Sequence, residues 1–218
     1  MPQTMKKLFP FLSGIVLMFG CASALAQGTT SDDYPKWEIF GGFSALGAAD
    51  SRTISFSSTS NVAGPGFETS LIGNFRKHFG IKGDFSAHFH NESSSGPISA
   101  CPGCATVTQD FQIKSSVYNF LAGPEFKARN STRFTPFAHV LGGVAHTSST
   151  FTTAGPTLNL RLEKSDNSFA MAFGGGLDIR ATRRVSIRGS MDYNPVFTRD
   201  PGSNWRNLAR FSLGVLFH

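Results

Sequence analysis

Cysteine is nearly missing from this chain, with three in 218 residues. So sparse a set excludes a small fold stapled by several disulfides. No run of Lys and Arg marks a nucleic-acid surface, although the formal net charge is +6. Beyond the first 26 residues, no stretch is apolar for the ~20 residues that a membrane-spanning helix needs. Heptad and helical periodicity are scarce. Abundant residues are Gly (23) and Phe (22), and with Ser they favour many short strands.

The start reads MPQTMKKLFPFLSGIVLMFGCASALAQ. Lys6 and Lys7 form a basic opening, Leu8 to Gly20 is apolar, and Ala24-Leu25-Ala26 supplies small residues for a signal peptidase. The expectation is a signal peptide over 1–26, cleaved after Ala26, then a short periplasmic segment over 27–35. An uncleaved anchor is the alternative. Lipidation at Cys21 is another, but Met18 and Phe19 match that signal poorly. Losing Lys6 and Lys7 lowers the net charge from +6 to +4, a mild attraction for anionic lipid headgroups. The remaining residues, about 190, suit one domain.

From Trp37 onward the chain alternates between apolar and polar or small residues. In FGIKGDFSAHFH, Phe79, Ile81, Phe85, Ala87 and Phe89 alternate with Lys82, Asp84, Ser86, His88 and His90. Successive side chains of a strand point to opposite faces, so each such stretch is a half-buried strand. The pattern recurs in KWEIFGGFSAL, GFETSLIGNFRK, SVYNFLAGPEFK, SFAMAFGGGLDIR, RVSIRGSMDY and the closing ARFSLGVLFH. RFTPFAHVLGGVAH is the least regular, with apolar residues on both parities. Eight strands of 10 to 14 residues result, long enough for tilted membrane crossings.

The expected connections alternate strictly: 47–65 long, 77–78 tight, 91–114 long, 128–132 short, 147–167 long, 181–183 tight, 195–207 long. Transmembrane barrels have short periplasmic turns and long external loops, which would make both termini periplasmic. On that layout Trp37, Phe75, Phe79, Phe126, Phe134 and Phe217 fall near one rim. Phe43, Phe67, Phe89, Tyr118, Phe169, Tyr193 and Phe211 fall near the other, as two interfacial girdles.

A soluble lipocalin-like carrier would instead turn its apolar face inward around a ligand. The polar face mixes Gly and Ser with acids (Glu38, Glu68, Asp84, Glu125, Asp178, Asp192) and bases (Arg76, Lys82, Lys127, Arg180, Arg188, Arg210). Balanced charges among small residues suit the inside of a narrow barrel, where ions must be paired. Girdles and alternating connections favour lipid outside.

The stretches YNFLAGPEFKAR, FTPFAHVLGGVAH, FGGGLDIRATRRVSIRGSMDY and RFSLGVLFH resemble the small eight-stranded outer-membrane barrels of the OmpA, OmpX and opacity-protein type. The resemblance covers the chain from about Trp37 onward. It implies an all-β, antiparallel up-and-down barrel over 36–218, in a bacterial outer membrane, without the peptidoglycan-binding domain of OmpA. It also implies a terminal assembly signal that usually ends on an aromatic; here Phe217 is followed by His218.

Cys101 and Cys104, in CPGC, are expected to form a local disulfide in the second long connection. His88, His90 and His139 form a candidate polar cluster. With the two cysteines they could be drawn as a zinc site, but more simply they bond to acids or serines. HFHNESSS could be drawn as a lipid A-modifying centre from His88, His90 and Ser93 to Ser95, although it matches no enzyme signature. Gly174 to Gly176 lie mid-strand, where they relieve crowding or receive an aromatic neighbour. The expectation is a non-enzymatic barrel with a structural or surface-interaction role, a narrow plugged interior, four external loops and no cofactor. Its partners would be outer-membrane lipids, lipopolysaccharide, the barrel-assembly machinery and an extracellular ligand reached through the loops, with no nucleic acid. A small gated channel is the remaining alternative.

Overall fold

The computed structural model describes residues 34–50, 53–55, 64–99, 106–155, 159–197 and 206–218. They form nine strands: β1 (Trp37–Asp50), β2 (Thr53–Ser55), β3 (Gly64–Arg76), β4 (Phe79–Ile98), β5 (Val107–Lys127), β6 (Phe134–Ala154), β7 (Leu160–Arg180), β8 (Val185–Phe197) and β9 (Arg206–Phe217). Each pairs antiparallel with its neighbour, and β9 returns to β1 from Ile39↔Phe217 to Ala48↔Leu208. Eight strands thus close into a barrel with no free edge along the wall. β2 only folds back on the end of β1. Among the described residues no helix is long and apolar enough to cross a membrane.

Alternation decides which way each face points. Phe43, Leu71, Phe79, Phe120, Val140, Phe173, Ile187 and Leu213 are all exposed on the outer wall. Their neighbours Ser44, Ile72, Lys82, Asn119, His139, Arg188 and Ser212 are buried within. A water-facing wall would reverse that arrangement, so the lipocalin-like alternative fails. Glycines make room for the interior. Inward Gly214 stands opposite Arg188, and Gly174 lies between His139 and Asp192 in the register. At the β1–β9 seam a Cβ on Gly42 would lie 2.7 Å from Gly214 Cα.

The irregular β6 is explained by the interior, which is layered. Phe40, Ile72 and Leu216 form one buried apolar group. Leu46, Val117, Leu121, Leu141, Ala145, Ala170, Ala172, Val196 and Leu208 form another, farther from the tight turns. Inward Leu141 and outward Val140 therefore both meet apolar surroundings.

The strand lengths differ from expectation. β4 to β7 run 20, 21, 21 and 21 residues, against 14, 13, 13 and 12 for β1, β3, β8 and β9. Much of the connections expected over 91–114 and 147–167 is strand. Ser- and Thr-rich segments read as linkers in isolation, but here the ladder continues through them, as in Ser94↔Phe111 and Ser149↔Lys164.

Along these extensions the polarity changes phase. The outward series is apolar up to Phe89, Tyr118, Val144 and Phe169. Beyond, it becomes Asn91, Ser116, His146 and Asn167, followed by Ser93, Lys114, Ser148 and Ser165. On the opposite face apolar side chains appear: Ile113, Phe151 and Leu162 form one register row. Phe111 and Phe151 stack with centroids 6.4 Å apart. The outer wall thus ends its lipid-compatible belt in mid-strand and continues as a water-compatible surface.

Candidate functional site

The interior charges meet in two clusters. Nearer the tight turns, Lys127 on β5 bonds to Glu38 on β1 and lies 3.2 Å from Glu125 Oε1. Arg188 on β8 grips Asp178 on β7, donating Nε to Oδ1 at 2.6 Å and Nη2 to Oδ2 at 2.8 Å. Its remaining edge faces Glu125 at 3.4 Å. The guanidinium also covers the Phe137 ring, 4.0 Å from its centroid, a favourable cation–π contact. Arg129 donates to Glu38 at 3.0 Å.

Farther in, Arg210 on β9 joins β4 and β8. Its Nη1 donates to Asp84 Oδ1 at 2.7 Å and its Nη2 to Asp192 Oδ2 at 2.7 Å. Lys82 lies 3.0 Å from both Glu68 and Asp84. Ser212 donates to Glu68 at 2.5 Å and lies 3.0 Å from the Ser44 hydroxyl, and Ser44 meets His88 Nε2 at 2.9 Å. His139 stands between the clusters, 2.9 Å from Asp192 and 3.9 Å from Glu125. Neither of its ring nitrogens makes a hydrogen bond.

Each of the six interior carboxylates touches at least one Lys or Arg. Ions this deeply buried are tolerable only when paired and hydrogen-bonded, and orphaning one costs about 3–5 kcal/mol. The clusters therefore tie β1, β3, β4, β5, β7, β8 and β9 together across the lumen.

Two bases placed inside by parity are not there. Arg76 and Arg180 are exposed at strand ends. Arg76 follows a register break between Asn74 and Arg76. Arg180 ends β7, where a long cationic side chain reaches water instead of a desolvated interior.

Two other residues reach in from outside the strands. Arg129 extends from the β5–β6 turn. His218 lies 3.1 Å from Glu38 with Nδ1 and 2.7 Å from Ser186 with Nε2. Parity could not find Arg129, which sits in no strand; His218 continues the inward parity of Arg210, Ser212 and Leu216 one residue past β9.

His88, His90 and His139 are not brought together. His88 bonds to Ser44, His90 lies 3.6 Å from Glu92, and His139 faces Asp192. His88 is buried inside the barrel, whereas Ser93, Ser94 and Ser95 of HFHNESSS are exposed. Cys101 and Cys104 lie outside the described residues, as do residues 1–33 with the expected signal peptide. Among the described residues, no group of three or more His, Cys, Asp or Glu could hold a metal ion.

A family profile described as outer membrane protein beta-barrel domain matches residues 13–218. The chain belongs to that family. No curated protein matches the chain. Among solved structures, Neisserial surface protein A is 13% identical, over 84% of this chain and 97% of its own, with a TM-score of 0.50. Ail, the attachment invasion locus protein of Yersinia pestis, is 17% identical over 83% and 96%, with a TM-score of 0.48. OprG from Pseudomonas aeruginosa is 13% identical over 83% and 94%, at 0.47. The likeness to Neisserial surface protein A concerns the fold. As a member of the family, the chain is a bacterial outer-membrane β-barrel.

Proposed function

We propose that this barrel is a membrane-anchored surface protein, closed to ions, that presents the β4–β7 sheet and its connections to the cell exterior. Both termini and the three short turns then face the periplasm. The observation that carries the reading is the phase change along β4–β7. Beyond Phe89, Tyr118, Val144 and Phe169 the outward residues become Asn, Ser, Thr, Lys and His, which suits strands standing clear of lipid. The cross-lumen ion pairs support a filled interior, and no chemistry is assigned to them. Outer-membrane lipids and lipopolysaccharide surround the belt, the barrel-assembly machinery inserts it, and an extracellular ligand meets the sheet or its connections.

The test uses two epitope tags in the full chain, one between Pro102 and Gly103 and one between Ser131 and Thr132. Antibody on intact cells should bind the first tag and not the second. The opposite pattern overturns the orientation. Purified protein in a planar bilayer should give no conductance steps; steady unitary currents would instead support an ion path along the charged clusters.

A further inference from the structure

The outer wall carries a serine, a histidine and an asparagine that the barrel's own packing does not need. His146 Nδ1 lies 2.7 Å from Asn167 Oδ1, and His146 Nε2 lies 3.4 Å from Ser165 Oγ. An amide oxygen can only accept, so Nδ1 carries the proton and donates it to Asn167. The neutral ring then keeps its lone pair on Nε2, facing the Ser165 hydroxyl, which donates. Two ring nitrogens in two complementary roles make an oriented base beside a hydroxyl nucleophile, the arrangement that defines a triad by geometry and not by chain order. The Ser165 contact sits at the long end of hydrogen-bond range, as catalytic contacts do before substrate tightens them.

Register explains how a regular sheet builds the group. His146 on β6 pairs with Asn167 on β7, and Ser165 lies two residues on, opposite Ser148. All three point outward. They also stand at one height: Val144 and Phe169 are the last exposed apolar residues of the belt on these two strands, and His146 and Asn167 are the next outward positions. In a membrane that level is the boundary between acyl chains and headgroups, where lipid ester bonds lie. Tyr118 is opposite His146, and Ser148 is opposite Ser165; both supply hydroxyl donors on the same face.

We propose that Ser165, His146 and Asn167 form the nucleophile, base and orienting group of an esterase that cleaves long-chain acyl esters of membrane lipids. Ser165 Oγ attacks the ester carbonyl carbon while its proton passes to His146 Nε2. The tetrahedral adduct collapses, the C–O bond to the lipid alcohol breaks, and the alcohol leaves with the proton from Nε2. Water, deprotonated by His146, then attacks the acyl-Ser165 ester, releasing a fatty acid and restoring the hydroxyl. The Ser148 hydroxyl, opposite Ser165 in the register, is the donor for the developing oxyanion. Asn167 holds the tautomer and orientation of His146 through the proton on Nδ1.

The test uses the full chain purified from outer membranes in detergent, with heat-modifiable gel mobility confirming that each variant is folded. A long-chain fluorophosphonate should label Ser165, located by peptide mapping, and p-nitrophenyl palmitate should be hydrolysed. Ser165→Ala should abolish both, and His146→Ala should slow both by about 10²–10⁴-fold. Asn167→Leu should lower kcat with little change in KM, and Asn167→Asp, which still accepts from Nδ1, should restore it in part. Vesicles of phosphatidylglycerol and purified lipopolysaccharide distinguish the lipid source by the fatty acid each releases. The proposal is overturned if Ser165 is unlabelled, if labelling is indifferent to His146→Ala, or if neither lipid releases fatty acid above the Ser165→Ala background.

Discussion

Arg188 holds Asp178 through two hydrogen bonds on adjacent strands, while its flat face rests on Phe137. Three demands of a buried guanidinium are thereby met at once: a fork-shaped partner, an aromatic plane and a second anion in Glu125. The pair also locks β7 to β8 at the end of the lumen nearer the tight turns, where Gly214 gives Arg188 space.

Removing one member of that pair should cost more than removing both. Arg188→Met leaves Asp178 and Glu125 short of a cation, and Asp178→Leu leaves Arg188 half-satisfied. Each single variant should lose about 3–5 kcal/mol. The double variant should lose less than their sum, because the second change removes the charge orphaned by the first. Urea titrations in detergent, read by the loss of heat-modifiable gel mobility, give the three values, and strict additivity would contradict the pairing.

Gly174 should be intolerant in a way that Gly142 is not. A Cβ at Gly174 would collide with the Asp192 carboxylate and the Met191 carbonyl, whereas at Gly142 it meets only the Phe169 ring edge at 3.8 Å. Gly174→Ala displaces Asp192 from both His139 and Arg210, so the same titration should show about 1–3 kcal/mol lost, as for overpacking elsewhere. Gly142→Ala should sit within about 0.5 kcal/mol of the parent.

A cation on the outer wall should report whether its position lies in lipid. Leu213 is exposed in the middle of the apolar belt of β9, and Leu213→Arg should destabilise the barrel in lipid vesicles by about 2–4 kcal/mol. Thr150 points outward on the β6 extension, between Lys114 and Glu163 in the register. There Thr150→Arg should change stability by less than about 0.5 kcal/mol. Equal penalties at the two sites would mean that the extension also contacts lipid.

Much of this architecture is legible in single strands. Phe79, Ile81 and Phe85 against Lys82, Asp84 and Ser86 announce a two-faced strand, because the period of two is a local property. Pairing is not local. Whether Arg210 meets Asp84, 126 residues away, depends on how far the closed sheet shears, which no stretch of one strand encodes. Ser94 and Thr152 read as linker because their strand character comes from the ladder beside them. His146, Ser165 and Asn167 escaped notice for a related reason: His146 and Asn167 share the parity of the lipid-facing residues, and Ser165 sits beyond the phase change.

That phase change also restricts how β4–β7 can pair during assembly. In a uniformly alternating strand, a slip of two residues restores every side chain to its proper face and goes nearly unpunished. Here each of the four strands carries a fixed mark, between Phe89 and Asn91, Tyr118 and Ser116, Val144 and His146, and Phe169 and Asn167. A two-residue slip would drag one mark off the line formed by its neighbours, pulling a polar side chain into hydrocarbon or pushing a phenyl ring into water. The four marks work like the graduations of a vernier, admitting one alignment where simple alternation would admit several.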